Sequence, residues 1–238
     1  RRERVFINRE DYILGPADKC ALEVAVQLKE AAGAEVMTLT LGLERAEDAL
    51  REALAMGADA AYHLCDESLD NADISVVVRA LAAAVRKLDS VDLVLVGNQS
   101  ADTGAGQVGP RLAEALGMAQ VTEAHRVALE GEEIEVVRAW QGGFARVRAP
   151  LPAVVTVACG SVKPRLPHGA RIMNAYRQWN VTRWTAGDLG LTPEDLQPQL
   201  VYRAESFPPA PETGEMLQGE PAEVAQELWN ILRVQKLV

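Results

Sequence analysis

Residues 91–97 read VDLVLVG, a nearly continuous apolar run that stops at a glycine. A strand with one wet face alternates apolar and polar residues, whereas a strand apolar throughout is buried on both faces, as in a parallel sheet. Parallel neighbours need a crossover, usually a helix, so this run commits its surroundings to alternating strands and helices. The flanking sequence supplies them. Residues 35–41 (EVMTLTL) and 60–65 (AAYHLC) read as strands. Residues 44–56 place Ala and Leu at helical spacing and stop at Gly57, a suitable C-cap. Residues 74–88 carry Val77, Leu81, Val85 and Leu88 on one stripe, and Pro110 opens a helix over 110–116, where its missing N–H costs nothing. This alternation predicts an α/β fold: a doubly wound, mostly parallel sheet with helices on both faces.

The rhythm then changes. Residues 124–130, 132–140 and 144–148 alternate and are separated by Glu-Gly-Glu and Gly142-Gly143, which predicts an antiparallel meander with tight turns. Residues 153–158 (AVVTVA) read as another buried strand. Of the 12 prolines only Pro16 and Pro110 precede Pro150, so the chain loosens toward its end, and residues 207–211 (FPPAP) can be neither helix nor central strand. Helical spacing returns over 221–237, with Val224, Leu228, Ile231 and Leu232 on one face that needs a surface to cover it. The expected organisation is an α/β domain over residues 1–190 and a C-terminal arm with a helix over 191–238. A domain of this kind opens on a buried strand, yet residues 1–9 are highly charged; its first strand is expected to be missing from this sequence.

A net charge of -10 opposes a phosphate backbone and speaks against nucleic-acid binding. No stretch approaches the ~18 consecutive apolar residues a membrane span requires, and no apolar segment of a signal peptide follows Arg1-Arg2-Glu3-Arg4. Cys20, Cys65 and Cys159 form no CxxC pair and read as buried free thiols of a reducing compartment.

The chemistry lies after the buried run. Residues 93–116 read LVLVGNQSADTGAGQVGPRLAEAL: strand, glycine-rich loop, helix. Backbone N–H groups at such a helix start can face an anion, and small residues let a phosphate approach the backbone. The spacing matches neither GxGxxG nor GxxxxGK[ST]; on spacing alone, a phosphate cradle and a plain turn both remain open.

Five stretches in order carry a resemblance to a known family. They are Gly97-x-Gln99-Ser100-Ala101-Asp102 with Gln107-Val108-Gly109-Pro110; residues 21–30; Ala53-Leu54-Ala55-Met56-Gly57-Ala58-Asp59; Leu151-Pro152-Ala153-Val154-Val155-Thr156; and Pro164-Arg165, Ile172-Met173 and Gly187-Asp188-Leu189-Gly190. Together they resemble the beta subunits of electron-transfer flavoproteins along essentially the whole chain. The resemblance implies an adenine nucleotide alpha hydrolase-like fold and a heterodimer with an alpha subunit that carries the redox FAD. It also implies a role passing electrons between dehydrogenases and a quinone- or ferredoxin-linked acceptor, in the cytoplasm or peripheral to a membrane complex. The flavin, not a protein acid, base or nucleophile, would do the chemistry.

Carried onto this sequence, the nucleotide positions are Gly15, Pro16, Ala17, Asp18 and Leu41, then Gly97, Asn98, Gln99, Ser100, Ala101, Asp102, Thr103, Gly104, Ala105, Gly106, Gln107 and Val108. Ordinary family members bind AMP here and electron-bifurcating members a second FAD. Gly15 stands where the family usually has Asn, and Gly106-Gln107-Val108 where ordinary members have Asn-Gln-Thr. Gln-Val-Gly-Pro is closer to the bifurcating members, although Gly104 and Ala105 replace their second Asp and Thr; the choice between AMP and FAD stays open and leans to FAD. The resemblance also assigns Arg165, Leu166, Pro167, His168, Gly169, Ala170, Arg171, Ile172, Met173 and Asn174 to docking a flavin dehydrogenase or quinone oxidoreductase. Leucine near position 169 and the lysine-rich tract after Met173 are both missing, which argues against the usual acyl-CoA dehydrogenase partner.

Other features take plainer readings. His63, His125 and His168 share no metal-ligand spacing, and Ser100 and Ser161 lack the Gly-x-Ser-x-Gly turn of a hydrolase. Asp66, Glu67, Asp70 and Asp73 read as helix caps, and Trp229 as an interface anchor. The competing reading, a stand-alone adenine-nucleotide-binding or hydrolysing domain, would need a phosphate-cleaving loop such as Ser-Gly-Gly-x-Asp-Ser, which the chain does not contain.

Overall fold

A computed structural model describes residues 13–70, 72–200, 214 and 216–237. They fall into two compact units, one within Ile7–Tyr202 and the other within Arg203–Val238. The larger unit opens with α1 (Pro16–Ala32), which starts on Pro16 and ends where Gly33 adopts φ 73 and returns its N–H to the Lys29 carbonyl. Then follow β1 (Met37–Leu41), α2 (Glu47–Met56), β2 (Ala60–Leu64), α3 (Ile74–Lys87) and β3 (Leu93–Gly97). After the glycine-rich loop come α4 (Val108–Leu116), β4 (Ala119–Glu130), β5 (Glu133–Trp140), β6 (Gly143–Pro150), β7 (Ala153–Val157), α5 (Gly169–Arg177) and β8 (Thr182–Trp184).

The strands form two sheets. One has the order β1-β2-β8 and is parallel throughout; the other has the order β3-β7-β4-β5-β6. Within the second, β3, β7 and the start of β4 are parallel, while β4, β5 and β6 form the antiparallel meander. The α/β class, the parallel strands and the meander follow the sequence reading. Several element edges differ from that reading, three of them consequentially. Glu44–Ala46 makes a separate 3-10 turn ahead of α2, β4 begins at Ala119 rather than at 124, and residues 169–177 coil into a helix. The Pro-rich residues 207–211 lie outside the described residues.

Burial tracks position in the sheets. β7, with a neighbour on each side, is buried at all five residues. β1 and β3 each have a strand on one side only among the described residues, and every residue of both is half-buried. α1 joins the two halves: Leu22 and Val26 pack with Val36, Leu50 and Leu54, while Cys20, Ala21, Val24 and Leu28 pack against Val157, Leu93 and Leu95. Cys20 is buried as expected, but Cys159 is exposed, because the chain leaves β7 at Val157 and turns at Gly160 on the rim.

Two of the acidic residues are caps. Asp66 accepts the Ser68 and Ala186 N–H groups. Asp73, 2% exposed, caps α3 by accepting the Val76 N–H and also takes the N–H groups of Gln199 and Leu200 at 2.8 and 2.9 Å. Burial works to raise its pKa, but the three N–H donors outweigh it and hold the carboxyl below the usual range. Its contribution to stability is therefore complete above the ordinary aspartate pKa and is lost as pH falls through the lower folded value. Asp73→Ala should cost roughly 1.5 kcal/mol near neutral pH; urea unfolding curves that overlay those of the wild type would disprove the cap's role.

In the smaller unit, Pro221–Val234 forms α6, with Pro221 in its first turn. Leu228 and Trp229 are about half exposed and Val234 more so. Among the described residues no helix is long and apolar enough to cross a membrane.

Candidate functional site

The site lies beyond the carboxyl ends of β3 and β7, where ligands gather on open parallel sheets. β3 delivers Gly97 to the first turn of α1: the Gly97 N–H donates to Asp18 Oδ1 at 2.9 Å. A Cβ on residue 97 would lie 2.8 Å from the Ala17 Cβ and 2.9 Å from its carbonyl carbon, so the approach of strand to helix demands glycine. Solvent still reaches the Asp18 carboxylate, but protein crowds its other sides, and that desolvation raises its pKa against the opposing pull of the Gly97 N–H.

Residues 99–107 are all exposed. The loop is shaped from within. The Ser100 and Thr103 hydroxyls are 3.0 Å apart, the Thr103 N–H donates to Asp102 Oδ1, and the Gly104 N–H donates to the Ser100 carbonyl at 3.2 Å. These donors hold the Asp102 carboxyl below its usual range, the Ser100 hydroxyl most of all. Gly104 and Gly106 take φ values of 60 and 62, the left-handed region that favours glycine. Gln107 precedes α4 without a side-chain cap, and Gly15 precedes α1 without one. Two helix starts thus leave backbone N–H groups open beside one glycine-lined loop.

Gly15, Pro16, Ala17 and Asp18 and residues 97–108 therefore share one rim, joined by the Asp18–Gly97 hydrogen bond. Leu41 ends β1 in the other sheet, and its side chain packs with Leu64, Leu69, Val76 and Ala80. His63, opposite Thr40 on β2, is fully buried, with Nε2 3.0 Å from the Gly42 carbonyl; burial lowers its pKa. Among the described residues no group of His, Cys, Asp and Glu could hold a metal ion.

The segment 165–174 is anchored at one end and open at the other. Arg165 forks between Glu23 and Glu30 on α1, at 2.9 and 2.6 Å. Arg171 donates to the Leu54 and Ala55 carbonyls at the end of α2 and lies over the Trp179 ring. His168 caps α5 by accepting the Ala170 N–H. The apolar residues face outward: Leu166 is 93% exposed, and Ile172, Met173 and Tyr176 are exposed along α5.

Three residues that border this rim were not among the site residues read from the sequence: Glu123, Thr156 and Cys159. Asn98 Oδ1 accepts the Cys159 N–H, its Nδ2 donates to the Glu123 carboxylate, and the Glu123 N–H donates to the Thr156 hydroxyl. Thr156 was read only as part of a buried strand and Cys159 as a core thiol; sheet pairing brings them and Glu123 together.

Comparison with known proteins identifies the family. A family model described as the electron transfer flavoprotein domain matches residues 4–189. The chain is 38% identical to the electron transfer flavoprotein subunit beta of Bacillus subtilis over 224 residues, covering 94% of this chain and 86% of that one. It is 38% identical to the caffeyl-CoA reductase-Etf complex subunit CarD of Acetobacterium woodii, covering 95% and 88%. Identity to the Mycobacterium tuberculosis electron transfer flavoprotein subunit beta is 33%, covering 96% and 88%. The chain belongs to the electron-transfer flavoprotein family, on its beta-subunit branch.

Proposed function

We propose that this beta subunit holds an adenine nucleotide in the cradle between Gly15–Asp18 and residues 97–108, FAD in preference to AMP, while an alpha subunit carries the redox FAD. The observation that carries the reading is the convergence of two uncapped helix starts, α1 and α4, on one exposed glycine-lined loop. Open N–H groups and left-handed glycines suit a phosphate chain, which needs donors and close backbone approach. The order Gln107-Val108-Gly109-Pro110 supports FAD over AMP. A bound flavin supplies the electron chemistry, and the chain's own residues bind and orient it.

The exposed Leu166, Met173 and Tyr176 support docking of a flavin dehydrogenase or quinone oxidoreductase on this face, where apolar side chains can serve as anchors. The relative CarD, a subunit of a caffeyl-CoA reductase-Etf complex, supports an oxidoreductase as that partner. The assembly is assigned to the cytoplasm.

Denaturing the purified alpha–beta complex and separating the released nucleotides tests the reading. Two flavins per heterodimer are expected; one flavin with AMP would replace the FAD assignment by AMP. A beta subunit that releases no adenine nucleotide would refute the reading. Gly106→Leu places a Cβ at φ 62, 3.3 Å from the Asn98 carbonyl oxygen. The strain it introduces, of order 1–2 kcal/mol, should lower nucleotide affinity about tenfold. Assembly with the alpha subunit should persist; full nucleotide occupancy in the variant would count against the loop as the site.

A further inference from the structure

At the start of β4, Glu123 does something unusual. Its φ is 59, a left-handed backbone that a non-glycine residue rarely adopts. It sits where the β4–β7 register shifts between Val121 and Ala124, a bulge beside the carboxyl end of β7. Bulges next to functional sites re-aim a side chain, and here the aim is explicit. The carboxylate receives Asn98 Nδ2 at 3.2 and 3.3 Å on its two oxygens. Thr156, itself buried, holds the bulge by accepting the Glu123 N–H at 3.0 Å.

Asn98 is the first residue of the nucleotide loop. Its N–H donates to the Val157 carbonyl at 2.9 Å, and its Oδ1 accepts the Cys159 N–H at 3.3 Å. A carboxylate can only accept, so Glu123 decides which way the Asn98 amide points: NH2 toward β4, oxygen toward the turn after β7. The far end of the loop closes on the same residue, since a Cβ at Gly106 would lie 3.3 Å from the Asn98 carbonyl oxygen. Between these ends, residues 99–107 are exposed and shaped mainly by their own short-range hydrogen bonds. Glu123 makes no ion pair among the described residues. Its left-handed backbone, held by Thr156, turns the carboxylate onto Asn98, and such a backbone kept beside a binding loop points to function.

We propose that Glu123 is a positioning residue of the nucleotide site, acting through Asn98 to hold the loop in its binding shape. The proposal rests on the nucleotide reading above. Glu123→Gly separates the two roles the residue could have, because glycine relieves the left-handed backbone while deleting the carboxylate. Glu123→Gln keeps an acceptor for Asn98 Nδ2. In the alpha–beta complex stripped of nucleotide, the affinity for AMP and for FAD would be measured by titration, and the unfolding midpoint by thermal scan. E123G is expected to bind the resident nucleotide about tenfold more weakly with an unchanged or raised midpoint, and E123Q to bind close to wild type. Alkylation of the exposed Cys159 by N-ethylmaleimide, followed by peptide mass spectrometry, should quicken in E123G, since the Asn98 tie to its N–H is loosened. Wild-type affinity in E123G, or affinity and stability falling together in E123G, would overturn the proposal. A wild-type complex that takes up neither AMP nor FAD would refute the nucleotide reading itself, and the proposal with it.

Discussion

Gly109→Val is expected to destabilise the alpha–beta complex by about 3 kcal/mol and to empty the nucleotide site. Gly109 is buried in the first turn of α4, and a Cβ there would stand 2.3 Å from the Thr156 Cγ2 and 3.0 Å from the Val96 Cγ2. Thr156 is not free to swing aside, because its hydroxyl holds the Glu123 N–H. The helix start must therefore lift off β3 and β7, carrying its open N–H groups away from the loop. Urea unfolding combined with nucleotide extraction measures both effects. Glu114→Val, at an exposed position of the same helix, should change stability by no more than about 0.5 kcal/mol. Equal behaviour of the two variants would show that α4 is not seated as described.

The second large effect belongs to Arg165→Met. Glu23 is 4% exposed, a buried carboxylate on α1 whose main partner is the Arg165 guanidinium. Burial works to raise its pKa, but hydrogen bonds from Arg165 and Gln27 outweigh it and leave the carboxyl below its usual range. Removing one partner of a fully buried pair costs about 3–5 kcal/mol. Arg165 keeps a third of its side chain in solvent, so roughly 2–3 kcal/mol is expected after screening. The pH dependence has a definite sign. Folded Glu23 holds its proton less tightly than the unfolded chain does, so its contribution is complete above the ordinary glutamate pKa and is lost as pH falls through the folded value. In the variant, burial acts without the guanidinium, and the penalty should be greatest near neutral pH and shrink on acidification. A penalty independent of pH would mean that lost packing of the arginine stem, not an orphaned charge, is responsible.

What could be read in advance was what local pattern encodes. The run at 91–97 announced β3 because a doubly buried strand leaves no polar alternation, and Asp73 ahead of an apolar stripe announced the start of α3. The loop after β3 was legible from its glycines and from family resemblance together, not from spacing alone. The rest depended on long-range pairing. Residues 119–123 carry Gln120, Thr122 and Glu123 and break strand periodicity at a bulge, so the first half of β4 was invisible, and with it Glu123 as a partner of Asn98. Helix α5 follows Pro167 and opens on a glycine; it is held by Arg171 and Arg51 reaching to backbone carbonyls across α2, contacts that no window of sequence contains. Cys159 looked like a core thiol because its apolar neighbours belong to β7, which ends just before it.

Helix α1 has a mechanical consequence. At its first turn Asp18 grips the end of β3 where the proposed nucleotide loop begins, and one to three turns further along Glu23 and Glu30 grip Arg165, where the proposed docking segment begins. A rod of 17 residues transmits displacement with little loss, since interiors are close-packed and poorly compressible. On the proposed reading, a partner pulling on Leu166 would load Arg165 and through it the same helix that holds Gly97. Any coupling between the two proposed sites through this helix would be reciprocal: the factor by which a partner changed nucleotide affinity would equal the factor by which the nucleotide changed the partner's.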